Sequence, residues 1–387
     1  MLTVAFWLLA LILFAVATRV GRRAGLIPIV SQLLLASIGL PLLMGLWVEP
    51  YWQLSGAQLV APLWLKSLYS LSFALLLGHI LSDAIDLRID RQCLKIALPS
   101  FAVPFLCGLA CAMWLLPAQP WLSSLAVGLV FAITAIPVLY LYLRHIDYPP
   151  AAARRLVQSA ILIDLTCWSL FGLAQGSLDL NSLLLPLAGA LLPLLLRALR
   201  IRQPLCYSLS FFALLVVAEH FRLNALVFGV GYLLCMAWLK IPLVMPLKAT
   251  WLELVQTRYA VPLILTFGIV QINLHSALDE INVLQMTALL LLPVVSKLLG
   301  NWLGLSWATP SFAGASKWRE SLLLNIRGLS EIVFLNLLLQ QHLISPALYF
   351  ALMLMGLFAT LLPALAGMNK PLLKSAVPPG KEPLCQS

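Results

Sequence analysis

The stretch RLVQSAILIDLTCWSLFGL, residues 155–173, decides the reading of this chain. It is apolar over the length of a membrane crossing, and inside its apolar run it carries one charge, Asp164. An ionised carboxylate at the centre of a bilayer costs about 2.5–3.5 kcal/mol even on lenient insertion scales. A residue held at that cost calls for a task and for compensating groups elsewhere in the chain.

The surroundings fit a membrane interior. Of 387 residues, 62% are hydrophobic and only 10% charged, with a mean hydropathy of +1.00. A soluble protein of this length needs far more polar surface. Apolar runs of about 20 residues, enough to cross a bilayer about 30 Å thick, recur from end to end. They predict thirteen spans near 3–20, 28–47, 64–84, 93–116, 121–143, 152–177, 183–199, 205–220, 222–240, 258–274, 283–304, 318–341 and 345–369. The expected fold is an all-α polytopic membrane protein. The first span is read as retained, because its charges follow the apolar run and no small-residue cleavage site is evident. Trp64, Trp114, Trp121, Trp238, Trp251 and Trp318 fall near span ends, where indole rings anchor at the interface.

The basic residues test the count. Twenty of the 24 Lys and Arg follow odd-numbered spans, from Arg19, Arg22 and Arg23 to Lys370, Lys374 and Lys381. Even-numbered connections carry only Lys66 and Arg222. Positive loops stay cytoplasmic, so the N-terminus is expected outside and the C-terminus in the cytoplasm. The net charge of +10 is then a topology signal, and no nucleic-acid partner is expected. An odd count also permits two inverted six-span repeats, residues 1–177 and 205–369, joined by a linker helix within 178–204 and followed by a short tail, 370–387. In such transporters the site lies at the midplane, where helices are broken.

Four ionisable residues are read within the spans: Asp164, Lys297, Arg327 and Glu331. Glu331 follows Arg327 by four residues, which puts both on one helix face; the pair can neutralise itself. Asp164 and Lys297 have no local partner. They either bridge the bundle structurally, or Asp164 alternately holds a proton and a cation while Lys297 compensates its charge when it is empty. A carboxylate suits that exchange, since it binds either species and crosses a low-dielectric barrier once neutralised. In FAITAIPVLYLYL, 131–143, Pro137 interrupts an apolar run, so a break is expected near Thr134–Pro137. The Thr134 hydroxyl and freed carbonyls are candidate cation ligands. In NIRGLSEIVFLNLLL, 325–339, Gly328 offers a second interruption. The two fall in spans 5 and 12, the fifth of each repeat, and matched interruptions point to a transporter site.

Other chemistries find little support. The seven cysteines, Cys93, Cys107, Cys111, Cys167, Cys206, Cys235 and Cys385, have no metal-ligand spacing. The five histidines lie mostly at span ends, and no Ser/His/Asp or phosphate-loop motif is present. No enzyme activity, cofactor or metal beyond a transported monovalent cation is expected.

Several stretches together resemble the cation:proton antiporter-2 group of the monovalent cation:proton antiporters, the Kef-type and cation/H⁺ exchanger-like proteins with a sodium/hydrogen exchanger membrane domain. They are ITAIPVLYLYLRH (133–145), SAILIDLTCW (159–168), KLLGNWLG (297–304) and LNIRGLSEIVFLNLLLQQHLIS (324–345), with IPIVSQLLLASIGLP (27–41) and DLRIDRQCLKIALPSFAVPFLCG (86–108) in register before them. The resemblance implies a homodimeric antiporter of Na⁺ or K⁺ against H⁺ in the cell membrane. Crossed, discontinuous spans 5 and 12 would lie in a core that moves, elevator-like, against a dimerisation domain. It places Asp164 on the ion-binding aspartate, Thr134 on the crossing-helix threonine, Lys297 on the helix-11 lysine, and Arg327, Gly328 and Glu331 on an R-G-x-x-E motif. Four residues depart from the pattern. Ile163 stands where the family has Asp or Asn, Ile326 replaces Thr, and Ser31–Gln32 replaces Gly-Glu. These departures leave a second reading open, a divergent membrane protein of this fold that senses or partners without transporting.

Overall fold

The structure, a computed structural model, describes residues 2–23, 28–82, 90–115, 120–176, 188–220, 225–244, 251, 254–271, 282–310 and 314–368. The proposed linker residues 178–187, the junction at 221–224 and the tail from 369 lie outside them. Among the described residues the chain is helical throughout, without strands.

Apart from a short helix at Gly56–Val60, the helices run in the order α1 (Leu2–Arg23), α2 (Pro28–Trp52), α3 (Leu63–Ser82), α4 (Arg91–Leu115), α5 (Trp121–Ala132), α6 (Ile136–His145), α7 (Pro150–Gly176) and α8 (Leu192–Ala198). They continue with α9 (Pro204–His220), α10 (Ala225–Trp238), α11 (Val261–Ile269), α12 (Val283–Ala308), α13 (Gly314–Leu324), α14 (Leu329–Gln340) and α15 (Pro346–Leu365). Six of them, α1, α2, α4, α7, α12 and α15, have stretches long and apolar enough to cross a membrane. With their lipid-compatible outer faces, they mark an integral membrane protein. Along α1, Leu8, Ile12, Val16 and Val20 are exposed while Phe6, Ala10 and Phe14 are buried. That inversion of the water-soluble pattern suits a helix whose outer solvent is hydrocarbon.

Two packing groups are visible. In the first, α4 lies along α12 and also packs on α5 and α7, while α12 reaches α13 and α15. In the second, α3 packs on α9, α10 and α11, and α1 packs on α2 and α11. The groups meet where α7 faces α10, α14 faces α11, and α2 faces α15. A stacked Tyr69–Phe267 pair, centroids 4.3 Å apart, ties α3 to α11 within the second group.

The close α4–α12 approach has a cause in KLLGNWLG. A Cβ on Gly300 would sit 2.6 Å from the Pro99 carbonyl oxygen, and one on Gly304 would sit 2.5 Å from that of Ile96. Two glycines four residues apart let the backbones touch, the small-xxx-small device of membrane helices. Gly304→Leu is therefore expected to push α12 off α4. Size-exclusion and thermal unfolding in detergent should show loss of monodisperse protein. Gly45, whose Cβ position has nothing within 4 Å, should accept Ala without effect.

Helix α2 is longer than its predicted span and is wound as a π-helix over Leu35–Gly39 and Met44–Trp52. A third π stretch, Gln256–Ala260, leads into α11. Such windings carry no hydrophobic-periodicity signature, so composition does not announce them.

Candidate functional site

The site is built where two helices stop short. Span 5 was expected to break near Thr134–Pro137. The chain leaves the helix after Ala132 and resumes at Ile136. Pro137 thus lies just beyond the interruption, in the second position of α6. That is a favourable place for it: its fixed φ suits a first turn, and the N–H it lacks has no helical partner there. The second break runs from Leu324 to Leu329. Gly328 precedes α14 with φ 152° and ψ −122°, a conformation that favours glycine. A Cβ there would also sit 2.9 Å from Val138 Cγ2 on α6.

The breaks meet. The Ala135 N–H donates to the Ile326 carbonyl at 3.1 Å, so residues of the two interrupted stretches hydrogen-bond to each other. Interrupting α5 leaves its last carbonyls without their ladder partners. Arg327 donates to the carbonyls of Val130 and Phe131 at 2.5 Å each. Lys297, on α12, donates to the carbonyl of Ala132 and, at 3.2 Å, to that of Ser100. Two buried cations thus face the negative end of the α5 dipole. Arg327 also bridges to Glu331 Oε1 at 3.1 Å, and the Thr360 hydroxyl donates to the Arg327 carbonyl at 2.6 Å. Lys297, Arg327 and Glu331 are almost fully buried.

Asp164 projects from the middle of α7 and is 2% exposed. Its Oδ1 accepts the Thr134 backbone N–H at 2.9 Å, a donor released by the break. Its Oδ2 has no hydrogen-bond partner, nor has the Thr134 hydroxyl. Lys297, Arg327 and Glu331 all lie within electrostatic reach of Asp164. Among the described residues, however, no ion pair joins Asp164 to Lys297. The lysine is taken up by the last carbonyl of α5, that of Ala132, and by the Ser100 carbonyl of α4, so its compensation acts on the helix end and reaches the aspartate only through space. Ile163 and Ile326 are buried in apolar surroundings.

Sequence reasoning missed a fifth buried charge. Glu320, on α13, is 1% exposed and takes Arg155 Nη2 on both oxygens, at 2.8 and 2.9 Å. The Tyr148 hydroxyl donates to it at 3.2 Å. Burial, and next the Glu320 carboxylate, push the Tyr148 phenol above its usual range, which keeps the donating proton in place. Glu320 stands inside the predicted span 318–341, so counting acids within that span would have found it. Asn325 was also passed over. It lies in the quoted LNIRG stretch, is fully buried, and neither amide atom has a partner. Among the described residues no group of three or more His, Cys, Asp or Glu is placed to hold a metal ion.

Fold and site together define a helical membrane protein with two helix breaks that hydrogen-bond to each other and a buried carboxylate bonded to the first of them. The solved sodium proton antiporter MjNhaP1 of Methanocaldococcus jannaschii, determined at pH 8, is similar in structure. The TM-score is 0.59 at 17% sequence identity, covering 95% of this chain and 98% of that one. The chain therefore shares the fold of that solved protein. No family model matches the sequence, and no curated protein matches it.

Proposed function

We propose that this protein is a secondary antiporter that exchanges a monovalent cation, Na⁺ or K⁺, for H⁺, with Asp164 as the shared seat. One observation carries the reading. Asp164 is buried beside the first break with one oxygen fixed by the Thr134 amide and the other unpartnered, and the hydroxyl of that same threonine is also unpartnered. That arrangement offers a single anionic position which a proton neutralises directly and a dehydrated monovalent cation neutralises with help from Thr134. Mutually exclusive occupancy is the chemical requirement of antiport.

The proposal extends to the architecture and the membrane setting. Thirteen spans form two inverted repeats, 1–177 and 205–369, around a linker within 178–204. The first packing group carries the site and slides against the second in an elevator-like step. Lys297 and Arg327 hold the α5 end, and Glu331 holds Arg327. The protein works as a homodimer in the cell membrane, with its N-terminus outside and its C-terminus, 370–387, in the cytoplasm. The structural likeness to a sodium proton antiporter supports this reading. Ile163 favours the second reading, a non-transporting sensor or partner subunit, because it puts an apolar side chain where the resembling family has a polar neighbour for the aspartate.

Liposomes loaded with a pH-sensitive dye and pulsed with Na⁺, K⁺ or Li⁺ test the proposal. A cation-driven pH change identifies the ion. No response to any cation across a broad pH range, from folded protein, overturns antiport in favour of the second reading.

A further inference from the structure

The two packing groups touch at few places, and one of them is chemically specific. Asn336, on α14, is 1% exposed. Its Nδ2 donates to the Ile264 carbonyl on α11 at 3.0 Å, and its Oδ1 accepts the Tyr349 hydroxyl of α15 at 2.7 Å. The tyrosine proton can go only to the amide oxygen, so Tyr349 orients the amide with its donors toward α11. The carboxamide enters a notch at Gly268, one turn along α11 from Ile264. A Cβ at Gly268 would overlap both Asn336 Oδ1 and the Tyr349 hydroxyl, and would lie 2.8 Å from Asn336 Cγ.

Gly268 is the only glycine in α11, VPLILTFGI. Every other position on that helix carries a Cβ, so the amide fits at one register alone. Moving α14 along α11 by one turn, about 5.4 Å, would break the bond to Ile264 and bring a side chain up against the amide.

We propose that Asn336 is a positioning residue for the transport step. Seated in the Gly268 notch and oriented by Tyr349, it holds the site-bearing group against the other group in one state of the cycle and must leave that seat in the other. The proposal rests on the antiport reading. It adds which contact sets the balance between the two states.

Weakening a contact made in one state only shifts the population toward the other state. Apparent affinity for the cation then falls on the face open in the weakened state and rises on the opposite face, each in proportion to the change in that state's population. Tyr349→Phe removes only the hydroxyl that orients the amide. In oriented liposomes with the cation supplied from either side, its two KM values are expected to move in opposite directions, the two fold-changes multiplying to about threefold to tenfold. A merely structural role would lower the yield of folded protein and leave both KM values in place.

A second variant tests the movement itself. Gly268→Cys with Asn336→Cys, in the Tyr349→Phe background that clears the notch, puts a Cβ at 268 that lies 2.8 Å from the present Asn336 Cγ, close enough for the two thiols to be bridged. Reduced, it should show the cation-driven pH change; oxidised, it should lose it, and reductant should restore it. The Gly268→Cys and Asn336→Cys single variants, treated alike, control for the native cysteines. Unchanged KM values on both faces in Tyr349→Phe, or full turnover in the cross-linked protein, overturns the proposal. Absence of exchange in both the wild type and the reduced variant would instead count against antiport.

Discussion

Asp164→Asn is expected to abolish cation-driven pH change in dye-loaded liposomes while leaving the protein folded. The asparagine carbonyl can still accept the Thr134 N–H that Asp164 Oδ1 now takes at 2.9 Å, so the crossing keeps its geometry. The unpartnered oxygen becomes an NH₂ group, which neither binds a cation nor takes up a proton near neutrality. At about 3 Å and an effective dielectric of about 20, the lost attraction between a cation and a carboxylate is about 5 kcal/mol, or more than about 10³-fold in affinity. A buried neutral amide also costs less to hold than a buried carboxylate, so the thermal midpoint in detergent should hold or rise. Thr134→Ala makes the contrasting case. It keeps the backbone donor and removes only the hydroxyl, so exchange should survive with a cation KM raised about tenfold. Wild-type exchange in Asp164→Asn would remove Asp164 from the role of shared seat.

What was legible in the sequence was whatever depends on local spacing. The i, i+4 placement of Arg327 and Glu331 predicts their pairing, and the structure sets them 3.1 Å apart. Gly328 stands at an interruption because its φ of 152° suits a residue without a Cβ. Pro137 led to the right neighbourhood for a different reason from the one expected: it opens α6, and the break precedes it. What depends on three-dimensional neighbours was not legible. Lys297 looked like a counter-ion for Asp164 because both lacked local partners. The acceptors nearest to it are the Ala132 and Ser100 carbonyls, and backbone acceptors leave no trace in a residue string. Arg155 and Glu320 are 165 positions apart, and Asn336 reads as one more polar residue until Gly268 is seen opposite. The π windings of α2 are invisible too, since they carry no signature in the hydrophobic pattern.

Arg327→Met is expected to be the most destabilising single change at the crossing. The guanidinium serves three acceptors at once: the Val130 and Phe131 carbonyls and Glu331 Oε1. Removing it leaves Glu331 as a buried, uncompensated carboxylate, and breaking a buried pair in this way costs about 3–5 kcal/mol. It also strips two carbonyls at the end of α5, where no helical N–H can replace the lost donors. Thermal unfolding in detergent should show a large fall in midpoint. Arg327→Lys should fall less, yet clearly, because one ammonium cannot fork between α5 and Glu331 as the planar guanidinium does. Glu331→Gln should be mildest: its amide oxygen still accepts from Arg327, and Arg327 keeps both carbonyls. The double variant Arg327→Met/Glu331→Gln should be more stable than Arg327→Met alone, since neutralising residue 331 removes the stranded charge. That non-additivity is the signature of a direct pair. If Glu331→Gln proved as damaging as Arg327→Met, the carboxylate rather than the α5 end would be the group that Arg327 exists to hold. The fall in stability would then trace to α14, and the α5 carbonyls would need Lys297 alone.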